Sequence, residues 1–447
     1  MAEIELADGV RSVQRAAWNA LVAEESPFLE WEWLASLEEA GAVGEATGWL
    51  ARPLVAREGE RVVAACPLYL KAHSEGEFVF DHGWADAAER AGIRYYPKLL
   101  VGVPFTPVSG ARFLVAPAEE RRAWIARLAA ALRELCLANE LSGVHVNFCQ
   151  ADELAALEGE GWLARLGLQY HWTRRGWSTF DDYLGELRHK RRNQVRRELR
   201  EVANAGVAIE VRAGDEIPDA WFEPMWRFYR ATVDQNPWGR RYLNPRFFEL
   251  VRERFRHRLV FAVALRGERP IAGAFNVQKG AALYGRYWGA SEFVRHLHFA
   301  VCYYAGIRYC IDRGLDRFEP GAGGPYKQVR GFDAQPTRSA HLLAEPRLAE
   351  AVARYLASER SETREAIDWL RERSALKPPP PPGQAGCLDH PASGAEGAAR
   401  SEPAPSPPRQ RDRLEYPASG AEGAARSEAK PSEVNRRATA QPRRSSR

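Results

Sequence analysis

The chain has 447 residues, and with 45% of them hydrophobic it can bury a large core. Its formal net charge is +4, but residues 375–447 carry 12 basic and 8 acidic side chains, which leaves 51 of each sign in residues 1–374. This neutral body gives no support for a nucleic-acid-binding face. The acidic first residues and the lack of an apolar run of about 18 residues predict a cytoplasmic protein without a signal peptide or a transmembrane segment.

The first predicted elements are two strands joined by a turn, in the run PLVAREGERVVAACPLYL at residues 53–70. The next segment, residues 71–107, is dense in side chains that can do chemistry. It holds two of only seven lysines in the chain, and an ammonium group can shift its pKa where a guanidinium cannot. A loop with solvated charges is the alternative. The candidate substrate-binding residues of this segment are Lys71, His73, Glu77, Asp81 and Trp84.

A helix is predicted for residues 121–137, because apolar residues recur there on one face. A strand is predicted directly after it, for residues 144–148, which read VHVNF. The first half of the chain therefore runs in the order of a strand meander, a helix and a strand.

A strongly basic segment joins the two halves. Residues 183–205 predict one continuous helix with a narrow apolar stripe. Residues 188–200 carry seven positive charges, which repel one another unless an anion lies near. We therefore expect an anion-binding helix, with a solvated helix face as the alternative. Its candidate anion-binding residues are Lys190, Arg192 and Arg196.

The second half repeats the order of the first. Residues 259–277 predict a strand, a turn and a strand, and residues 283–289, which read LYGRYWG, predict a further strand. A helix is predicted for residues 299–312 and a short strand for residues 315–319. On the LYGRYWG strand, strict alternation places three further candidate substrate-binding residues on one face, namely Tyr284, Arg286 and Trp288.

A glycine-rich loop follows the last of these strands, which ends at Glu319. Ligands of α/β sheets bind at strand ends, so the carboxylate of Glu319 is the candidate base, with pairing to a core arginine as the alternative. Backbone N–H groups of a glycine-rich loop can approach an anion, although a tight turn is the alternative. The candidate residues here are Glu319, Tyr326 and Lys327 for catalysis, Arg330 for substrate binding, and Gly321, Gly323 and Gly324 for anion binding.

These patterns divide the chain into three parts. An order of meander, helix and strand that occurs twice predicts an α/β fold with two domains of one kind, residues 1–176 and 177–374. Residues 375–447 are rich in Pro, Ala and Arg and contain the segment PASGAEGAARSE twice. Such a segment cannot bury enough apolar surface to offset its ordering entropy, so it is predicted to be disordered.

Most of the body resembles a known family. The resembling runs include SPFLEWEWLASLEEAG, PLYLKAHSEGEFVFDHGWADA, RYYPKLLVGVPFTPVSG, HKRRNQVRRE, LYGRYWG, RFEPGAGG and KQVRGF. They are similar to the FemAB-like group of N-acyltransferases. The resemblance implies two tandem GNAT-like (acyl-CoA N-acyltransferase) domains. It also implies transfer of an acyl or aminoacyl group to an amine, such as that of a cell-envelope precursor.

The donor and the cofactor stay open at this point. The resemblance implies aminoacyl-tRNA, with tRNA as a partner, or acyl-CoA. The usual R/Q-x-x-G-x-G/A cradle for coenzyme A is not visible before the helix at residues 299–312. No metal is expected, because the histidine spacings match no metal motif.

The chain departs from the family pattern at three positions. Ala300 stands where the family usually has a glutamate, and Pro325 and Tyr326 stand where it usually has Glu-His. The alternative function is therefore a non-catalytic FemAB-like binding module, or pseudoenzyme, that holds a cell-wall peptide or a lipid-linked sugar.

Overall fold

The computed structural model of the protein describes residues 2–235 and 240–378. The strands of these residues are β1 (Glu3–Leu6), β2 (Trp49–Ala51), β3 (Leu54–Glu58), β4 (Arg61–Cys66), β5 (Leu68–Lys71), β6 (Lys98–Val101), β7 (Leu114–Val115), β8 (Gly143–Asn147), β9 (Leu163–Thr173), β10 (Ala208–Ala213), β11 (Leu259–Arg266), β12 (Arg269–Lys279), β13 (Ala282–Ala290), β14 (Arg317–Glu319) and β15 (Asp333–Leu343). The helices are α1 (Arg15–Val22), α2 (Trp31–Glu39), α3 (His82–Arg90), α4 (Arg121–Ala138), α5 (Ala151–Gly159), α6 (Phe180–Glu186), α7 (His189–Asn204), α8 (Phe222–Asp234), α9 (Pro245–Arg254), α10 (Leu297–Phe299), α11 (Ala305–Asp312) and α12 (Pro346–Glu372).

One large sheet runs through both halves of the chain, in the order β10-β11-β12-β13-β14-β9-β15-β8-β6-β5-β2. A smaller sheet has the order β1-β3-β4-β7. Each half contains an antiparallel strand followed by a helix and a parallel neighbour: β6 and β8 around α4, and β13 and β14 around α11. The α/β class predicted from the repeated element order is therefore confirmed.

Two long strands join the halves. Strand β9 pairs with β14 through Trp172 and Phe318, and it pairs with β15 along most of its length. The far end of β15 pairs with β8, where His341 lies opposite His145. The predicted domain boundary at residue 176 thus lies just after a strand that pairs with the second half. The division into residues 1–176 and 177–374 remains a prediction.

The predicted continuous helix over residues 183–205 is wrong. Helix α6 ends at Glu186, Leu187 is extended, and α7 begins at His189. Leu187 forms a β-bridge with Leu376, and both side chains are buried, so packing of this pair overrides the local helical pattern. The guanidinium of Arg192 donates to the carbonyls of Gly185 (3.1 Å) and Leu187 (3.2 Å), which satisfies the end of α6.

The predicted start of the tail at residue 375 is also corrected. Ala375 and Leu376 are buried, the carbonyl of Ala375 accepts a hydrogen bond from the N–H of Arg188, and Leu376 packs in the core of the second half. Residues 379–447, with the duplicated segment, lie outside the described residues.

Truncation after Ser374 is expected to lower stability relative to truncation after Pro378, which retains the buried pair. Burial of one leucine side chain contributes about 1.5–3 kcal/mol, so the free energy of unfolding should differ by roughly that amount. Urea unfolding of the two truncated proteins measures it. Equal midpoints would show that Leu376 does not pack as described.

A buried imidazole pair lies at the junction between β8 and β15. Nδ1 of His145 and Nδ1 of His341 are 2.7 Å apart, and Nε2 of His341 lies 3.0 Å from Oγ of Ser339. Burial lowers the pKa of His145 to about 3 and also lowers the pKa of His341. Both rings are therefore neutral in the folded protein near pH 7.

This pair is expected to make the protein less stable in mild acid. The folded-state pKa values lie below the unfolded value of about 6.5, so the stability is present above pH 6.5 and is lost as pH falls below it. The free energy of unfolding should drop by about 2 kcal/mol per histidine between pH 7 and pH 5. Urea unfolding at both pH values measures the drop. It should shrink in the His145→Gln, His341→Gln variant and persist in the control His189→Gln, which changes an exposed histidine.

Candidate functional site

An opening between two parallel strands forms the candidate site of the second half. Strands β13 and β14 pair only from Ala282 to Tyr284, after which β14 ends at Glu319 and β13 continues to Ala290. The backbone of the next loop closes the base of this opening, because a Cβ added at Gly321 would lie 3.1 Å from the carbonyl oxygen of Gly285. Part of β13 is thus left without a strand neighbour on this side among the described residues.

Glu319 lies at the base of the opening beside an imidazole. Its Oε1 is 3.0 Å from Nε of Arg317, and its Oε2 is 3.7 Å from Nε2 of His171 on β9. Oε2 and Nε2 are both buried and have no hydrogen-bond partner among the described residues. Burial lowers the pKa of His171, and the charge of Glu319 partly opposes this shift, so the ring is mostly neutral near pH 7.

The glycine-rich loop is held by Lys327. Gly321, Gly323 and Gly324 all have positive φ angles, which other residues rarely adopt. The buried ammonium of Lys327 donates to the carbonyls of Gly321 (2.5 Å) and Ala322 (3.0 Å). Burial lowers the pKa of Lys327 to about 7. The predicted anion-binding loop is therefore tied by its carbonyls to a buried lysine.

A π-helical turn, Ala300–Tyr304, lies between α10 and α11 next to this loop. Burial and the nearby charge of Lys327 lower the pKa of His298 to about 3, and burial raises the pKa of Cys302. The ring of Trp288 lies 4.7 Å from that of His298. Such turns are frequent at functional sites. Ala300, where the chain departs from the family pattern, is buried in the turn.

A β-bulge corrects the predicted alternation of the LYGRYWG strand. Gly285 pairs with Asn276 and Tyr287 pairs with Phe275, so Arg286 has no partner across the ladder. Tyr284 consequently packs in one hydrophobic core of the protein, and Trp288 packs against a different hydrophobic core. The bulge inverts the alternation, and the prediction that Tyr284, Arg286 and Trp288 share one face is wrong.

Two of these residues reach other parts of the site. The hydroxyl of Tyr284 lies 3.1 Å from Nη2 of Arg317, beside Glu319. Nη2 of Arg286 donates to the carbonyl of Phe105 and lies 3.4 Å from Oγ1 of Thr106. Arg286 therefore links β13 of the second half to a loop of the first half.

Arg330 forms a buried ion pair with Glu198 of α7. Its Nη2 lies 2.8 and 2.9 Å from the two carboxylate oxygens, and its Nε donates to the hydroxyl of Tyr304 at 2.8 Å. Its guanidinium stacks 3.5 Å from the ring centroid of Phe299. The pair fastens the basic helix to the 3-10 turn Gln328–Arg330 that follows Lys327. Arg330 is thus occupied by protein groups.

The three expected anion-binding residues of the basic segment do not converge. Arg192 caps α6, Lys190 is exposed, and Arg196 is exposed at 3.9 Å from Asp181. Arg196 lines a cavity of about 420 Å³ together with Arg308 and several apolar residues.

The expected substrate-binding residues of the first half form a separate buried cluster around Lys98. The ammonium of Lys98 donates to Glu77 (3.0 Å), to Ser74 (2.9 Å) and to Asp81. Nζ of Lys71 lies 3.9 Å from Glu77. Burial lowers the pKa of Lys71 to about 7 and raises that of Glu77 to about 7, and the charge of Lys98 holds the pKa of Asp81 well below its usual range.

The other two members of this expected set lie at the edge of the cluster. Nδ1 of His73 is 3.5 Å from Nζ of Lys71, and Nε2 of His73 is 2.9 Å from the carbonyl of Thr47. The ring of Trp84 lies 4.9 Å from that of His341. The structure thus brings all five expected first-half residues together, at a place separate from the group around Glu319.

Sequence reasoning missed His171 and Glu198. His171 lies in the run LGLQYHWT, whose β pattern predicts a strand but not its neighbours. Glu198 is the only acid between Arg188 and Arg200, and such an isolated acid in a basic run could have indicated a buried partner.

Comparison with known proteins identifies the family. A family model for FemAB-like proteins, described as peptidoglycan biosynthesis/recognition, matches residues 9–378. The chain belongs to the FemAB-like family. The predicted family is thus confirmed, and so is the α/β fold class.

Several solved structures are similar to this FemAB-like chain. FemX matches at 12% identity with a TM-score of 0.48, over 76% of this chain and 98% of FemX. L-PGS from Bacillus licheniformis matches at 9% identity with a TM-score of 0.43, over 72% and 95%. A tandem GNAT protein from the clavulanic acid biosynthesis pathway matches at 14% identity with a TM-score of 0.40, over 77% and 98%. A search of the curated proteins finds no match.

Within residues 2–235 and 240–378, every helix is too short or too polar to span a membrane. No group of three or more His, Cys, Asp or Glu side chains there is arranged to hold a metal ion.

Proposed function

We propose that this FemAB-like protein transfers an acyl or aminoacyl group to an amine, and that the reaction takes place at the opening between β13 and β14. The observation that carries the proposal is the pair of buried, unpartnered atoms at the base of this opening, Oε2 of Glu319 and Nε2 of His171. A carboxylate beside a neutral imidazole is the arrangement that orients a general base and stabilises it once protonated.

The reaction follows from these groups. The neutral ring of His171 accepts a proton from the attacking ammonium, and Glu319 stabilises the imidazolium that forms. The amine nitrogen then attacks the acyl carbonyl carbon, and backbone N–H groups of β13 beyond Tyr284 stabilise the developing oxyanion. The bond to the leaving thiol or hydroxyl then breaks, His171 returns its proton to that leaving group, and the nitrogen loses its second proton to water as the amide forms.

Other residues of the predicted catalytic set have supporting roles in this proposal. Lys327 holds the glycine-rich loop at the base of the opening through two carbonyls. Tyr326, half-buried beside Phe299, is proposed to hydrogen-bond to the leaving group while His171 returns the proton. The proposed donor is aminoacyl-tRNA or acyl-CoA, the acceptor is the amine of a cell-envelope precursor, and the reaction is placed in the cytoplasm.

A second candidate is a binding module without turnover. The observation that favours it is Ala300, which is buried in the π-helical turn and has no carboxylate to offer beside Lys327. In this case the cluster around Lys98 and the opening at Glu319 would hold a cell-wall peptide or a lipid-linked sugar.

Mass spectrometry distinguishes these functions. One portion of the purified full chain is denatured, and any released small molecules are identified. A second, folded portion is then incubated with acyl-CoA or aminoacyl-tRNA and with the identified amine. A product heavier than the acceptor by one acyl or aminoacyl group supports transfer. A bound ligand that gives no product with any of the donors supports the binding module instead.

A further inference from the structure

A second, smaller cavity lies near the glycine-rich loop. Its volume is about 210 Å³, and it is enclosed by the first turn of α7, the turn Gln328–Arg330 and the end of α12. Three arginines from two separate parts of the chain line it, namely Arg188, Arg191 and Arg373. We name it the three-arginine pocket. The amide of Gln328 and the side chain of Ser374 add polar groups to its lining.

The charges of this pocket are poorly compensated. In residues 2–235 and 240–378, no carboxylate oxygen lies within 4.0 Å of the guanidinium of Arg188 or Arg191. Arg191 donates to the neutral amide of Gln194 at 3.1 Å. Arg373 contacts the exposed Glu372 at 3.3 Å, and such an exposed pair contributes little. The lining therefore carries three guanidinium charges and no carboxylate, which gives the pocket a positive potential.

The position of the arginines on α7 adds to this potential. The helix begins at His189 and has no acidic residue in its first turn. The positive end of a helix dipole lies at its N-terminus, so cations there are unfavourable. An anion in the pocket would offset both the dipole and the repulsion among the arginines.

The chemistry of the lining selects phosphoryl groups. A guanidinium fork matches phosphate oxygens with two parallel hydrogen bonds. The charge of three guanidinium groups matches a multiply charged anion better than it matches a single carboxylate. The volume corresponds to about seven waters of ~30 Å³ each, which is room for a diphosphate. The guanidinium of Arg373 lies 4.2 Å from the ring centroid of Trp369 and covers one face of that ring. Recognition in this pocket therefore rests on the charge of the anion.

We propose that the three-arginine pocket binds a diphosphate group carried by a small substrate of this protein. Gln328 lines the pocket, and the preceding residue, Lys327, holds the glycine-rich loop, so one short turn connects the pocket with the candidate active site. A donor such as coenzyme A and an acceptor linked to a nucleotide or a lipid both carry this group. The substrate role rests on the proposed function, whereas diphosphate binding does not.

Calorimetric titration of the full chain with inorganic pyrophosphate at low salt tests the proposal. Each charge-assisted hydrogen bond that is lost weakens binding by about tenfold or more, so the Arg191→Gln, Arg373→Gln variant should bind roughly 100-fold more weakly. The affinity of this variant for pyrophosphate should also depend less on salt concentration. The matched control is Arg200→Gln, which removes an exposed arginine of α7 outside the pocket and should bind like wild type. If the double variant does not fold, Arg373→Gln alone should weaken binding about tenfold.

The outcomes separate the possible ligands. Unchanged affinity in the folded arginine variants would overturn the proposal, as would an equal loss in Arg200→Gln, which would indicate non-specific binding of the anion along the basic helix. Displacement of pyrophosphate by coenzyme A supports a donor site, and displacement by a nucleoside diphosphate supports an acceptor site. Displacement by neither overturns the substrate role. Because binding is measured without turnover, failure of acyl transfer and failure of the pocket give different results.

Discussion

Replacing Glu319 with glutamine is expected to lower kcat by about 10²–10⁴-fold while the substrates still bind. The amide keeps the shape of the side chain, but it carries no charge to orient His171 and to stabilise the imidazolium, 3.7 Å away in the wild-type protein. A mutation that removes such a contribution lowers kcat more than it changes the apparent substrate affinity. Steady-state kinetics with the donor and acceptor identified by mass spectrometry measures the effect.

Arg317→Gln is the matched control for this substitution. It removes the other ionic partner of Glu319, a side chain that is 47% exposed, and leaves the contact with His171 in place. We expect a much smaller loss of kcat. His171→Asn should reproduce the defect of Glu319→Gln, and the two changes together should cost little more than either one, because the residues act as a unit. Full activity of Glu319→Gln would place the chemistry elsewhere, with the Lys98 cluster as the next site to test.

Replacing Arg330 with methionine is expected to destabilise the protein by about 3–5 kcal/mol. Arg330 and Glu198 are each 2% exposed, so the substitution leaves an uncompensated carboxylate in the core. The hydroxyl of Tyr304 also loses its contact with Nε of Arg330. Urea unfolding followed by circular dichroism gives the difference in the free energy of unfolding.

A second variant separates the buried charge from the lost packing. Arg330→Met combined with Glu198→Leu removes both charges, so it should recover much of the lost stability. Arg200→Gln, an exposed change on the same helix, should stay within about 0.5 kcal/mol of wild type. A loss below about 1 kcal/mol in Arg330→Met would mean that the pair is open to solvent. In that case Arg330 would again be a candidate for substrate binding.

The sequence by itself determined the order of the elements and the family. Period-2 and period-3.6 patterns are local, so they were sufficient to predict α4, β8 and β13 close to their observed bounds. The helix predicted for residues 299–312 is instead divided into the π-helical turn Ala300–Tyr304 and α11. The position of Glu319 at a strand end before a glycine-rich loop was also readable, because the loop glycines and the short strand are adjacent in the chain. The resemblance to FemAB-like proteins rested on such local runs.

The tertiary structure alone decided which distant residues meet. The place of β9 beside β14 brings His171 to Glu319, and no local pattern encodes which strands become neighbours. Glu198 and Arg330 are 132 residues apart in sequence, and only packing of α7 on the following turn reveals that both are occupied. The bulge at Arg286 arises in the same way, because the pairing of β13 with β12 outweighs the regular alternation of the strand. The break at Leu187 arises because burial of Leu187 against Leu376 outweighs the local helical pattern.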